Sequence, residues 1–215
     1  KAATLMLLSG EDVESISIAT PKGVQLSLAV QDRRRDDRQA SCAIRKDSGD
    51  DPDITNGMLV YAKATRTASG VTIGGGEGVG CVTKPGLDQP VGAAAINSVP
   101  RRMIEACVRE TCETLGYEGG ISIQISIPGG EEMAAKTFNP RLGIVGGLSV
   151  LGTSGIVEPM SEAALVDTIR VELNVLRAGG SDAALLVPGN IGEDLATSVL
   201  KIDARSHVKC SNYIG

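Results

Sequence analysis

Residues 74–104 read GGGEGVGCVTKPGLDQPVGAAAINSVPRRMI, a run with seven glycines and three prolines. Residues that free or fix the backbone at this density exclude one continuous helix or a central strand across the run, so it divides the chain. The same run carries Glu77, Lys84 and the adjacent Arg101 and Arg102, so the break in regular structure coincides with charge. A glycine turn beside charged side chains has the form of a segment shaped to lie against something.

Before the run, alternation predicts strands. Residues 13–18 and 24–30 flank TPKG, and Val24, Leu26, Leu28 and Val30 alternate with polar residues, which predicts a hairpin. Residues 41–45 and 58–66 predict two more strands, joined by KDSGDDPDITNG. The aspartates of that loop, Asp47, Asp50, Asp51 and Asp53, do not follow EF-hand spacing and leave two readings, a polar substrate loop or a solvated turn. The run DRRRDDR at 32–38 neutralises itself and reads as a solvated loop, and residues 1–8 read as the end of a helix.

After the glycines, a helix is predicted from about residue 100. Proline suits its first turn, Ile104, Cys107, Val108, Thr111 and Leu115 form its buried stripe, and Gly116 ends it. ISIQISI at 121–127 alternates as a strand. Beyond residue 140 the pattern becomes a strand at 148–151, the turn GTSG, and a helix over 161–177 capped by Ser161. A strand at 183–187, the turn PGNIG and a helix over 193–201 follow. The fold class is therefore α/β and α+β: an α+β domain over 1–140 with mostly antiparallel strands, and the start of a Rossmann-like α/β domain over 141–215.

Composition removes several functions. With 21 basic against 26 acidic residues, a net charge of -5 and 2% aromatics, the chain lacks the basic stripe and stacking rings of a nucleic-acid binder. Its apolar runs fall short of the ~20 residues that span a bilayer, so no transmembrane helix is expected. Length and 42% hydrophobic content read as a soluble globular chain, and the cysteine usage as a cytoplasmic one. The five cysteines include no CxxC pair and there is one histidine, which favours buried reduced thiols over a metal site. No G-x-G-x-x-G with its downstream acid and no Walker lysine is present. Gly152, Thr153, Ser154 and Gly155, with Pro188, Gly189 and Asn190, are either plain connectors or turns that hold a nucleoside-containing cofactor. Arg101 and Arg102, placed at a helix N-terminus, point either to an anionic ligand or to pairing with Glu105 or Asp88.

GEGVGCVTKPGL with AINSVPRRMI, then IPGGEEMAAKTFNPRLGIVGGLSVLGTSGIVEPMSEAAL, then LLVPGNIG and SNYIG, together with the aspartate loop, resemble the CbiD family across essentially the whole chain. This is the family of cobalt-precorrin-5B C-1 methyltransferases of anaerobic cobalamin biosynthesis. GAAAIN stands where that family usually has GEPAIN, and Ser98 where a proline is common. Family members begin with a TTGTCAAAA-like segment and continue to a GHxGK-type motif, so the resemblance implies a partial chain. It also implies methyl transfer from S-adenosylmethionine to C-1 of a cobalt-containing corrin precursor, giving cobalt-precorrin-6A.

In that reading the turns at 152–155 and 188–190 hold the methyl donor. Gly78, Gly80, Thr83, Lys84, Asn97, Arg101, Lys136 and Arg141 face the carboxylated macrocycle, with Arg102 adding charge, and Glu77 or an aspartate among Asp47, Asp50 and Asp51 accepts a proton. Two other classes fit the residues less closely: a GHMP-type ATP-dependent kinase, and a tetrapyrrole carrier without catalysis.

Overall fold

The computed structural model describes residues 1–152, 155–156, 162–202 and 207–210. Helix α1 (Ala2–Ser9) is apolar on all sides and accordingly buried, and Gly10, at φ 73°, closes it by donating its N–H to the Met6 carbonyl at 3.1 Å. Strands β1 (Ser15–Ala19) and β2 (Gln25–Ala29) form the expected antiparallel hairpin, closed by the Thr20 N–H to the Val24 carbonyl at 2.9 Å.

The central layer is a five-stranded sheet of β3 (Gln31–Arg35), β4 (Gln39–Arg45), β5 (Leu59–Thr67), β6 (Val71–Gly75) and β8 (Gly120–Ser126), in the order β3-β4-β5-β8-β6. Two of these strands depart from the sequence reading. The charged run 32–38, assigned to a solvated loop, supplies edge strand β3 and its turn, where Asp36 accepts hydrogen bonds from the N–H groups of Arg38 and Gln39 at 2.8 and 2.9 Å. A charged edge strand is a physically sound outcome, because charges keep an unpaired edge from recruiting another strand. Strand β6 runs into the glycines, which hide the short alternation of Val71 and Ile73. It pairs parallel with β8, the helix between them making the crossover, while the remaining pairs of this sheet are antiparallel.

That crossover helix, α2 (Ser98–Thr114), starts two residues before Pro100, whose missing N–H still falls among the four unpaired ones of the first turn. Leu115 leaves the expected stripe and is 41% exposed, because it is the C-cap, outside helical geometry, while Gly116 takes the left-handed turn. Helices α1 and α2 pack on one face of the sheet. There the alternation of ISIQISI places Ile121 and Ile123 at 1% and 3% exposure beside Ala40, Cys42, Ala64 and Val108. Each buried isoleucine contributes about 1.5–3 kcal/mol of burial free energy, which fixes the register of β8.

A smaller layer follows: β7 (Cys81–Val82), α3 (Gly130–Ala134), α4 (Asn139–Leu142) and β9 (Ile144–Val145), the last antiparallel to β7. The strand expected at 148–151 is instead a pair of isolated bridges, Leu148 to Val79 and Val150 to Ile96. Its backbone groups are satisfied by the glycine segment: Leu148 N–H reaches the Gly78 carbonyl at 2.9 Å and Val150 N–H the Ala95 carbonyl at 2.8 Å. Helix α5 (Glu162–Ala178) matches expectation, its intended cap Ser161 lying outside the described residues. Strand β10 (Leu185–Val187) is followed by α6 (Gly189–Asp194), which absorbs the PGN turn. One turn of π-helix (Leu195–Val199) comes next, where a single helix over 193–201 is expected. Strand β11 (His207–Lys209) pairs parallel with β10. The architecture is mixed α/β, with antiparallel and mixed sheets.

Candidate functional site

The glycine segment is built by close approach of backbone to backbone. Gly78, at φ 70°, lies so near the Ile127 carbonyl that a Cβ there would overlap it, and a Cβ on Gly147 would overlap Gly78 in turn. One on Gly130 would stand 3.0 Å from the Gly78 Cα, one on Gly80 2.8 Å from the Gly147 oxygen, and one on Gly75 2.9 Å from the Ala94 Cβ. Three stretches of chain, around 75–80, 127–130 and 147, can only interlock if they lack side chains.

Arg101 secures this arrangement. Its guanidinium donates to the carbonyls of Ile96, Ile73 and Ala94 at 2.7, 3.0 and 3.2 Å, tying the start of α2 to β6. It pairs with neither Glu105 nor Asp88. Glu105 takes Arg109 at 2.6 Å, and Asp88 accepts the Ser98 N–H and hydroxyl, both at 2.8 Å, capping α2 in place of the Asn97 side chain. Burial raises the Asp88 carboxyl, but the hydrogen bonds from Gln89 and Ser98 outweigh it and hold the group below the usual range. Asn97 uses its backbone N–H on the Val150 carbonyl at 2.9 Å, and Arg102 is exposed beside Asp88.

Thr83 donates its N–H and hydroxyl to the Gly143 carbonyl at 2.8 and 2.7 Å, and the Lys84 stem lies over Gly143 with Nζ 3.2 Å from the Arg141 carbonyl. Lys136 is exposed at the end of α3. The strand register brings the aspartate loop 46–58, the turn 76–80 and residues 127–130 to one end of the sheet, beyond the C-terminal ends of parallel strands β6 and β8. Glu77 and Asp50 are exposed there and Asp51 is half-buried. Asp47 and Asp53 shape the loop itself: Asp47 accepts the Gly49 N–H at 2.9 Å, and Asp53 binds Lys46 and Thr55. Burial raises the Asp53 carboxyl, and those bonds outweigh it and hold it low. Among the described residues, no group of three or more His, Cys, Asp or Glu is placed to hold a metal ion.

A second polar centre forms around Arg141. Its guanidinium donates to the His207 carbonyl at 2.6 Å and faces the carboxylates of Glu172 at 3.6 Å and Glu193 at 3.9 Å. Lys209 joins at 2.5 Å from Glu193 and donates to Asn190 Oδ1 at 3.0 Å. Glu172 is 6% exposed, and burial pushes its carboxyl above the ordinary value although Arg141 and Lys209 offset part of the rise. The hydrogen bond from Lys209 holds Glu193 below it. His207 is 2% exposed, with neither ring nitrogen hydrogen-bonded among the described residues. Glu172, Glu193, His207 and Lys209 carry no local signal in the sequence; only the fold collects them.

The two candidate cofactor turns differ. Gly152 would put a Cβ 3.6 Å from Pro100 and Gly155 one 3.1 Å from Thr20, while nothing lies within 4 Å of the position at Gly189. Thr153 and Ser154 lie outside the described residues. A cleft of about 530 Å³ between α5 and residues 180–184, lined by Leu173, Leu176, Arg177 and Asp182 among others, shares no residue with either centre.

The family model CbiD matches residues 1–159 of the chain. The cobalt-precorrin-5B C(1)-methyltransferase of Ruminiclostridium cellulolyticum is 50% identical over 215 residues, covering 100% of this chain and 56% of the relative. The protein of the same name from Alkaliphilus metalliredigens is 50% identical over 216 residues, again 100% of this chain and 56% of its own length. The chain thus spans somewhat more than half the length of these relatives. The crystal structure of the cobalamin biosynthesis protein (cbiD) from Archaeoglobus fulgidus superposes with a TM-score of 0.56 at 24% identity, covering 98% of this chain and 66% of that one, a likeness of fold.

Proposed function

The chain belongs to the CbiD family, and on that premise we propose that its protein transfers a methyl group from S-adenosylmethionine to C-1 of cobalt-precorrin-5B, giving cobalt-precorrin-6A in cobalamin biosynthesis. The observation that carries this reading is 50% identity along the whole chain to relatives bearing that activity in their names. The reaction forms a carbon–carbon bond at C-1 as the carbon–sulfur bond breaks, and a proton then leaves the ring. Such a displacement asks of the protein mainly alignment and exclusion of water. S-adenosylmethionine, when bound, supplies the activated methyl group.

The residues at 188–190 fit a nucleoside-bearing molecule. Gly189, at φ 64°, leaves bare backbone with open space beside it at the C-terminal end of β10. Pro188 and Asn190 flank that opening, and the turn Gly152, Thr153, Ser154 and Gly155 is assigned to the same molecule. In this reading residues 1–140 hold the macrocycle, and residues 141–215 form a Rossmann-like α/β unit, supported by the parallel pair β10 and β11.

Lys84, Lys136, Arg141 and Asn97 meet the macrocycle's carboxylates, and Thr83, whose N–H and hydroxyl are both given to the Gly143 carbonyl, shapes the substrate site beside them. Arg101 has three of five N–H donors committed to carbonyls and acts by holding Gly78 and Gly80 in shape, with two donors left for a carboxylate. Glu77, Asp50 and Asp51 stand at the sheet's end, where a carboxylate accepts the departing proton. No described helix is long and apolar enough to cross a membrane, and the assignment is to a cytoplasmic enzyme.

Calorimetric titration of the full chain with S-adenosylhomocysteine tests the donor site. Saturable one-to-one binding is expected; binding of magnesium ATP in its place contradicts the methyltransferase and favours a kinase.

A further inference from the structure

The five-stranded sheet has two unlike faces. Helices α1 and α2 cover the face of Ala40, Ala64, Ile123 and Ile73, which stand side by side in register across four strands. One residue along, the paired positions are Ser41, Lys63, Gln124 and Gly74, and beside them Gln39, Thr65, Ser122 and Thr72. Cross-strand partners share a face, so these eight, with Ala43, Tyr61 and Ser126 further along, belong to the surface opposite the core.

Three properties set this surface apart. Ser41, Lys63, Thr65, Ser122 and Gln124 are half-buried, yet none of their side chains makes a hydrogen bond or ion pair among the described residues. On β4, β5, β8 and β6 the positions of this face include no aspartate or glutamate, in a chain that carries 26 acidic residues and a net charge of -5; Asp32 of edge strand β3 reaches its margin, where it accepts the Tyr61 hydroxyl. A face that merely meets water draws on charges of both signs. At its margin, Gly74 has nothing within 4 Å of where a Cβ would stand, so the surface there is bare backbone.

We propose that this face receives the carboxylated macrocycle of the reaction assigned above, lying flat across β5 and β8 with Lys63 beneath one carboxylate. The inference rests on that functional reading and adds the binding surface. Four strands spaced about 4.8 Å apart offer a platform roughly 15 Å wide, lined by hydroxyl and amide donors suited to carboxylate oxygens. Lys63 adds a charge-assisted bond, strands β4, β5, β8 and β6 place no carboxylate of their own beneath the ring, and bare Gly74 lets a ring edge come close. The face ends where Glu77, Asp50 and Asp51 stand, which puts a ring lying there within the region of the assigned proton acceptors.

The test uses the full chain and dicyanocobyrinic acid, a cobalt corrin with free carboxylates, against its fully esterified form, with binding read by absorbance titration. The parent is expected to bind the acid and not the ester. Lys63→Glu is expected to weaken the acid at least about tenfold, Lys63→Arg to recover most of the loss, and S-adenosylhomocysteine binding to stay unchanged in both. Gln124→Glu, which places a carboxylate mid-face, is expected to weaken the acid likewise, and it decides the matter where Lys63→Glu does not fold. If the folded variants bind the acid as the parent does while the parent methylates cobalt-precorrin-5B, this inference falls and the functional reading stands. If the parent binds neither corrin and transfers no methyl group, both fall.

Discussion

The glycines around residues 75–80 and the glycine at 189 lie in sequences that look alike, yet their surroundings are opposite. Gly78, Gly80, Gly130 and Gly147 are pressed against the chain's own backbone, whereas Gly189 faces open space. Glycine density therefore reports close approach of something to the backbone without saying what approaches. In the first region the partner is the protein itself, and the charge beside it, Arg101, serves carbonyls; in the second no atom of the described chain lies within 4 Å of the position.

Substitutions sharpen this contrast. The largest effect is expected for Gly78→Ala, where overlap with the Ile127 carbonyl combines with a positive φ. A loss of about 3 kcal/mol or more, or roughly 6–12 °C in Tm, should appear in thermal unfolding. Arg101→Met comes next: three carbonyls lose their donor, so denaturant unfolding should show a loss of about 2–3 kcal/mol. A fully stable variant would show that the interlock holds without its clasp.

Gly189→Ala is expected to cost only about 1 kcal/mol, from its backbone conformation alone, while weakening S-adenosylhomocysteine in calorimetry. Unchanged affinity would remove the distinction between the two regions. The smallest effect concerns acid. The Asp88 carboxyl sits below its usual range in the fold, so its contribution is complete above the ordinary aspartate range and disappears as pH falls through the lowered value. Asp88→Asn should lower stability at neutral pH, where that contribution is complete, leave the acid end nearly untouched, and so flatten the acid limb of a stability profile.

What the sequence makes legible follows from local physics. The alternation of ISIQISI specifies β8 and its buried isoleucines, and Gly116 marks the end of α2, because each signal lies within a few neighbouring residues. Strand β3 is hidden by its charges, β6 by its glycines, and the run at 148–151 looks like a strand of a new sheet because its true partner, the segment around Gly78, has no strand pattern of its own.

The site divides in the same way. Arg141 and Asn190 are marked by motifs, but Glu172, Glu193, His207 and Lys209 reach them only through packing of α5, α6 and β11. The polar sheet face is likewise invisible along the chain, since its residues come from four strands and only their register aligns them.

Incubation of the full chain with cobalt-precorrin-5B and S-adenosylmethionine labelled with carbon-13 in its methyl group tests the central claim most directly. The product is predicted to carry one labelled methyl at C-1 by carbon NMR, with an equal amount of S-adenosylhomocysteine formed. Recovery of unlabelled substrate under conditions where the protein is folded and binds both partners would contradict the account.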